Sequence, residues 1–319
     1  MDFQGKLSII IPCYNEEKII NQAHKRVLSA LEKLDVDFEI IYINDGSDDR
    51  TLEILQHLAK SKNEIKIISF SRNFGHQPAV SAGIKYCSGD VAIIIDADMQ
   101  DPPELFPELL EKYQQENCNV VYCVRKKRIG ENFFKKITAK LFYKMLKNYS
   151  DISIPQDTGD FRLIDRKVIT EFKKLKEKNK FIRGLIFWLG FKQVPFYYTR
   201  EKREAGETKY PLKKMISFAL TGLTYFTNKP LYQLLKFGMI ILSIGFIFLI
   251  FLLFINFSQI LSDNQTSMIL ISAIIILSGI NLISMGILGI YISNIFKELK
   301  SRPEFVVERT INIPEDKNI

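Results

Sequence analysis

Two uncharged stretches limit what this chain can fold into more than any other feature. Phe237–Phe257 runs 21 residues without a charge, and Ser267–Phe296 runs 30. Hydrocarbon offers a backbone no hydrogen-bond partners, so an apolar run long enough to cross it must be helical. A two-helix hairpin is therefore expected over residues 229–298, with helices near 232–257 and 267–296. The second run exceeds the hydrocarbon thickness and is expected to tilt or to extend past it. Lys213, Lys214, Lys229 and Lys236 precede the first run, and Lys297, Lys300 and Arg302 follow the second. The loop Ser258–Thr266 has neither lysine nor arginine. The positive-inside rule then leaves both termini in the cytosol, as in a multi-pass protein of the inner cell membrane. Gly279, Gly286 and Ser293 recur every seven residues in the second run. Small residues on one face let helices approach closely, so a homo-oligomer is expected. Asn281 either hydrogen-bonds across that contact or lines a lipid or substrate path.

The first 228 residues have a different character. Strands expected at Leu7–Ile11, Phe38–Ile43, Ile65–Ser69, Val91–Ile95 and Val120–Val124 alternate with expected helices. Regular strand–helix alternation with short connections means right-handed crossovers and a doubly wound, mostly parallel α/β sheet. Neither GxGxxG nor GxxxxGK[ST] occurs, so the glycine devices for holding dinucleotides and phosphates are missing. The segment Q156-DTGDFRLIDRKV is expected to form a Gly-centred turn carrying Asp157 and Asp160, then a short strand and a helix. Four cysteines form no CxxC pair and suit a reduced compartment. The three histidines show no metal spacing, and His24 and His57 are expected on helix surfaces. The N-terminus turns polar too quickly for a signal peptide.

Ligands in such sheets bind outside the carboxyl ends of the strands. The loops expected there are P12-CYNEE, N44-DGSDD, S71-RNFGHQ and D96-ADMQDPPE. Asp96 and Asp98 follow a strand-like run, and on extended chain residues i and i+2 face one way. Two converging carboxylates suit a hard divalent cation, Mg2+ or Mn2+, that keeps open positions for phosphate oxygens. A solvated acidic turn is the plainer reading, since Asp-Pro is ordinary loop chemistry. Asp45 suits a hydrogen bond to a base or ribose, or else a role as turn-former and cap. Asp48 leans towards capping.

Net charge is +8 although 47% of residues are hydrophobic. The charge is concentrated in Arg125–Lys147, which holds nine basic residues and one acidic, Glu131. On a helical wheel Phe134, Ile137, Leu141 and Met145 oppose Lys136, Lys140, Lys144 and Lys147. That pattern suits an interfacial helix over residues 130–148 on an anionic membrane, with a packed amphipathic helix as the alternative. A second interfacial helix is expected over 211–227. The lysines flank a lipid-type stripe rather than a groove, which speaks against nucleic acid as a partner. The loop R200-EKREAGETKYPLKK is suited to gripping phosphate, or else is a solvated linker. Residues 299–319 form a tail in which R302-PEFVVERTINI alternates as a strand able to pair with a sheet edge, its own or a neighbour's.

I9-IIPCYNEE, Y42-INDGSDD, S71-RNFGHQPAVSAG, D96-ADMQDPPE, D157-TGDFRL and the R200–Y210 loop together resemble the GT-A-fold, family-2 polyisoprenyl-phosphate glycosyltransferases. Among these the wording is most similar to bactoprenol glucosyltransferases, with dolichol-phosphate mannose synthases as the other branch. The resemblance implies that Pro12, Tyr14, Glu16, Asp45 and Arg72 hold the nucleotide part of the donor. It implies that Asp96, Asp98 and Gln100 hold the metal, with Lys209 on the donor phosphates. Arg125, Arg128 and Arg203 would hold the acceptor phosphate, and Asp157 and Arg200 would stand at the reaction centre. The family commonly has ESKY where this chain has E207-TKY, and the QxxRW motif of processive synthases is missing, which suits a single transfer. The implied activity moves a sugar from a UDP- or GDP-linked donor to a polyisoprenyl phosphate, UDP-glucose and undecaprenyl phosphate being the preferred pair. GDP-mannose is the alternative donor, and a diacylglycerol or polymer end the alternative acceptor. A non-catalytic scaffold that merely binds nucleotide sugar is the reading from another class.

Overall fold

The structure, a computed structural model, describes residues 3–125, 158–177, 180–199, 236–241, 243–245, 247, 250–251, 263–300 and 302–314. Both expected interfacial helices lie outside them, as do Asp157, Arg128, Arg200, Arg203 and Lys209. The chain divides into two compact units. One takes in the α/β domain and the tail from Arg302, and the other holds the apolar helices.

The α/β unit is built on an eight-stranded sheet. In chain order the strands are β1 (Lys6–Cys13), β2 (Asp37–Asn44), β3 (Ile65–Phe70), β4 (Val91–Ile94), β5 (Val120–Arg125), β6 (Thr158–Asp165), β7 (Gln193–Tyr198) and β8 (Val307–Ile311). Their order across the sheet is β7-β5-β6-β4-β1-β2-β3-β8. The β1–β2, β1–β4, β2–β3 and β5–β7 pairs are parallel, as strand–helix alternation predicts. Ile9, Ile10, Ile40, Ile41 and Ile93 are wholly buried, so the apolar runs are covered on both faces.

Helices α1 (Ile20–Leu31), α2 (Thr51–Ser61), α3 (His76–Tyr86), α4 (Phe106–Glu116), α5 (Arg166–Lys174) and α6 (Ile182–Trp188) complete this unit. α1 buries Ile20, Ala23, Val27, Ala30 and Leu31, a stripe at helical spacing. His24 lies within that stripe, contrary to the expected surface position. Its Nδ1 is 3.0 Å from the Tyr42 hydroxyl, and burial, with Lys62 nearby, lowers its pKa. α3 lies close against β1 because residue 83 is glycine. A Cβ there would stand 2.2 Å from Ile10 Cγ2. This close approach brings the N-terminus of α3 to the carboxyl ends of the strands.

β6 departs from the expected order. It enters antiparallel between β4 and β5, so β4 and β5 are not neighbours. Thr158, Gly159 and Asp160, expected in a turn, already belong to the strand, and all eight of its residues are buried. Phe161 and Leu163 face the main apolar core. The opposite face carries Asp160, whose charge is met by His76 and Arg183 from distant segments, and Arg162, which donates to the nearby Gly159 carbonyl.

Among the described residues one helix is long and apolar enough to cross a membrane: α7 (Asp263–Leu299), with its apolar window at Ile276–Ser293. It corresponds to the second uncharged run and begins four residues earlier than Ser267. Helix is also described at 236–241 and 243–245, within the first run, but the rest of that run lies outside the described residues and a two-helix hairpin is not confirmed. Beyond α7 the tail supplies β8, which pairs antiparallel with β3 of its own chain, so the sheet edge it covers is its own.

Candidate active site

The carboxyl ends of β1, β2, β3 and β4 bring the four expected loops together, and hydrogen bonds bind them to one another. Ser47 Oγ accepts from the Asn15 N–H at 3.0 Å, and Asn15 Oδ1 accepts from the Asp48 N–H at 2.9 Å. Thr51 Oγ1 accepts from the Glu16 N–H at 2.8 Å, and Asp49 Oδ2 from the Glu17 N–H at 3.1 Å. Asp49, not Asp48, also serves the start of α2, accepting from the Thr51 N–H at 2.9 Å. Gly46 has φ +60°, and a Cβ there would stand 2.2 Å from the Arg72 carbonyl carbon, so the second loop presses directly on the third.

Asp45 is almost fully buried where these loops meet. It accepts from the Phe74 N–H at 2.7 Å and the Gly75 N–H at 2.9 Å. Burial pushes its pKa up, against the hydrogen bonds from Phe74 and Gly75 and the nearby His76 and Arg72. It thus clamps the second loop to the third. Arg72 is exposed beside it, with its guanidinium 4.0 Å from the centre of the Phe74 ring. Pro12 is buried, while Tyr14 and Glu16 are partly exposed on the first loop.

β4 ends at Ile94, so Asp96 and Asp98 lie in a tight turn and not on extended chain. Met99 takes φ +62°, and the Gln100 N–H donates to Asp98 Oδ1 at 3.2 Å. The turn still converges the carboxylates. Burial, with Asp101, Asp160 and Asp98 around it, raises the Asp96 pKa to about 6, against the pull of His76. Asp96 Oδ1 is shut off from solvent and has no hydrogen-bond partner among the described residues. A buried carboxylate oxygen without a donor, amid other carboxylates, fits a hard divalent cation. No cluster of three or more metal-type side chains occurs among the described residues. An ion placed there would take Asp96 and Asp98, with Gln100, as its protein ligands and keep its remaining positions open for phosphate.

Beside this turn stands a charged hub that sequence reasoning did not find. Asp160 of β6 accepts from Arg183 of α6 through both oxygens, at 2.6 and 3.0 Å. His76 Nε2, at the start of α3, lies 3.0 Å from Asp160 Oδ2 and 3.7 Å from Asp96 Oδ1. Burial opposes ionisation of Asp160, but Arg183 and His76 hold it well below the usual carboxylate range. For His76, burial acts downwards and is outweighed by Asp160 and Asp96, which raise its pKa to about 9. Arg162 is fully buried next to the hub, donating to the Gly159 carbonyl at 2.9 Å. Desolvation lowers its pKa to about 10 despite the neighbouring Asp160.

Arg125 sits at the end of β5, where Tyr198 hydrogen-bonds it and Asp101 attracts it. The Tyr198 hydroxyl in turn bonds Asp101. Arg125 Nε is buried and has no hydrogen-bond partner among the described residues. The position of His76 directly after the third loop was visible in the sequence. Arg183, Arg162 and Tyr198 carried no local signal.

Sheet, crevice and paired carboxylates define a GT-A glycosyltransferase fold. The family model for glycosyl transferase family 2 matches residues 8–172, and the chain belongs to that family. An uncharacterised glycosyltransferase of Bacillus subtilis (strain 168), YkcC, is 46% identical over 307 residues, covering 96% of this chain and 94% of its own. The prophage bactoprenol glucosyl transferase homolog of Escherichia coli (strain K12) is 36% identical over 306 residues, covering 95% of this chain and 99% of its own. Among solved structures, glucosyl-3-phosphoglycerate synthase from Mycobacterium tuberculosis, crystallised with Mn2+ and UDP-glucose, is 19% identical. That likeness covers 69% of this chain and 77% of the synthase at a TM-score of 0.45, too distant to inform function.

Proposed function

We propose that this glycosyltransferase moves glucose from UDP-glucose to undecaprenyl phosphate at the cytosolic face of a membrane, with inversion at the sugar. The observation that carries the reading is the Asp96–Asp98 turn at the strand ends, in a chain 95% of which aligns with a bactoprenol glucosyl transferase homolog. The exposed apolar surface of α7 supports a lipid-borne acceptor, since side chains such as Leu282, Ile283 and Met285 have no protein to cover them among the described residues. Its exposed Gly279, Gly286 and Ser293 would allow a second copy to pack closely.

A divalent cation bound at Asp96 and Asp98 would supply Lewis-acid neutralisation of the leaving nucleoside diphosphate. The loops around Pro12, Tyr14, Glu16 and Asp45 would hold the nucleoside, with Arg72 and Lys209 on its phosphates. Arg125, Arg128 and Arg203 would grip the acceptor phosphate, Arg125 through its spare Nε–H. The sugar passes through an oxocarbenium-like state, which nearby carboxylates favour. A phosphate monoester has a second pKa of about 6 and is largely dianionic at neutral pH, so it attacks without a general base. Asp157 is then expected to orient the acceptor or steady the cationic sugar, with Arg200 beside it. Asp157→Asn should depress turnover without introducing a new pH dependence, and near-normal turnover would remove Asp157 from the reaction centre.

The deciding experiment is a radiolabel transfer assay in detergent with Mg2+ or Mn2+, offering UDP-glucose and GDP-mannose separately with undecaprenyl phosphate. Label entering the organic phase from UDP-glucose, and lost with EDTA or Asp98→Ala, is the expected result. Transfer from GDP-mannose instead would replace the donor. Absence of transfer from both, with UDP still bound, would overturn the reading.

A further inference from the structure

The described tail does more than cover a sheet edge. Glu304, just past the end of α7, is buried although it carries a charge and lies outside every helix and strand. It accepts from the Ser81 hydroxyl of α3 at 2.9 Å and from Lys180 Nζ at 3.2 Å, with Lys85 Nζ at 3.6 Å. Lys180 is itself buried and precedes α6. One carboxylate therefore joins α3 to the chain entering α6. Next in the tail, Phe305 stacks on Phe70 of β3 at 4.9 Å between centroids, and Lys85 Nζ of α3 lies over the Phe305 ring, 4.9 Å from its centre.

Those two helices are the ones that form the hub beside the paired carboxylates. α3 delivers His76 and α6 delivers Arg183, and both reach Asp160. A second tie runs between them, from the Ile182 N–H to Gln77 Oε1 at 2.9 Å. Glu304 makes the same connection one turn further along α3. A short, buried, charge-assisted link is directional and leaves little slack. Without it Lys180 would be a buried cation seeking water, and the start of α6 would move with it.

We infer that Glu304 is a positioning residue for the active site: by binding Ser81 and Lys180 it fixes α3 against α6 and so sets the distance between His76, Arg183 and Asp160. The tail beyond the membrane helix is thus a working part of the catalytic unit. The inference rests on the glycosyl-transfer reading only in its kinetic arm.

The test uses the full chain in detergent. Glu304→Gln keeps size and hydrogen-bonding capacity and removes the charge. Amide hydrogen exchange read by mass spectrometry should speed up at least tenfold in residues 76–86 and 180–188 while β1 and β2 stay protected. In the kinetic arm kcat should fall at least tenfold with little change in KM for the donor. That loss should largely vanish in a His76→Gln background, whereas a general loss of folding would multiply with it. Unchanged exchange in a folded Glu304→Gln protein, or losses that simply multiply, would overturn the inference. Should that variant fail to fold, Ser81→Ala removes only the bond from α3, and faster exchange confined to α3 is required. If the wild type transfers no sugar, the exchange arm still decides, so the two readings fail separately.

Discussion

His76 gives the α/β unit a stability that should disappear in mild alkali. Its pKa stands at about 9 in the fold, against 6.5 for a free imidazole. A group whose pKa is raised by folding stabilises the fold fully below the unfolded value and loses that contribution as pH climbs through the folded value. The window is therefore between 6.5 and about 9. Asp96, with a pKa of about 6, is mostly ionised at the start of that window and fully so above it, so the partner charges change little. At 1.36 kcal/mol per pH unit the gap corresponds to about 3.4 kcal/mol. The His76 side chain is 33% exposed, and water screens part of the attraction. About 2 kcal/mol is then the expected contribution, or roughly 4–8 °C in Tm for a unit of this size. The assay is thermal unfolding followed by circular dichroism, with EDTA present, for wild type and His76→Gln across the window. The Tm difference between the two proteins should be largest near neutrality and should shrink towards zero above about pH 9. A difference that stays constant with pH would show that His76 is not held as an imidazolium, and the account of the hub would fail.

Three other outcomes follow from the site. Arg183→Met leaves the buried Asp160 with only His76 and the 3.5 Å bond from Gln77, and breaking such a pair should cost about 3 kcal/mol, read in urea unfolding of the full chain. Mn2+ binding, followed by the loss of its free paramagnetic signal, should weaken as pH falls through about 6, because Asp96 takes its proton there, two units above an ordinary aspartate. Binding that persists to pH 4.5 or so would contradict the burial of that carboxylate. Gly46→Ala demands a left-handed alanine with its Cβ against the backbone of Arg72, so it should cost about 2 kcal/mol or more and weaken UDP binding measured by calorimetry.

Much of the architecture was written locally. β4 is a continuous apolar run and β1 carries Ile9–Ile11, and runs of that kind are satisfied by burial on both faces, whereas the buried Glu39 of β2 depends on Lys66 of β3. The paired aspartates, the clustering of loops at strand ends and the long uncharged helix follow from residue order and backbone geometry alone. The tail strand announced itself by alternation, although its choice of its own β3 did not. What tertiary structure alone decided concerns charges. Hydrophobic patterning registers area removed from water, and on that scale Asp160, Arg162, Arg183 and Glu304 look like surface residues. Asp160, Arg183 and Glu304 are instead buried or half-buried because their partners arrive from segments far away in sequence: α3 and α6 for Asp160, Ser81 and Lys180 for Glu304. The insertion of β6 between β4 and β5 has the same origin, since a strand bearing Asp160 becomes a central strand only once Arg183 and His76 meet that carboxylate. Sequence order set the strands and the loops, and the pairing of distant charges set which of them meet at the site.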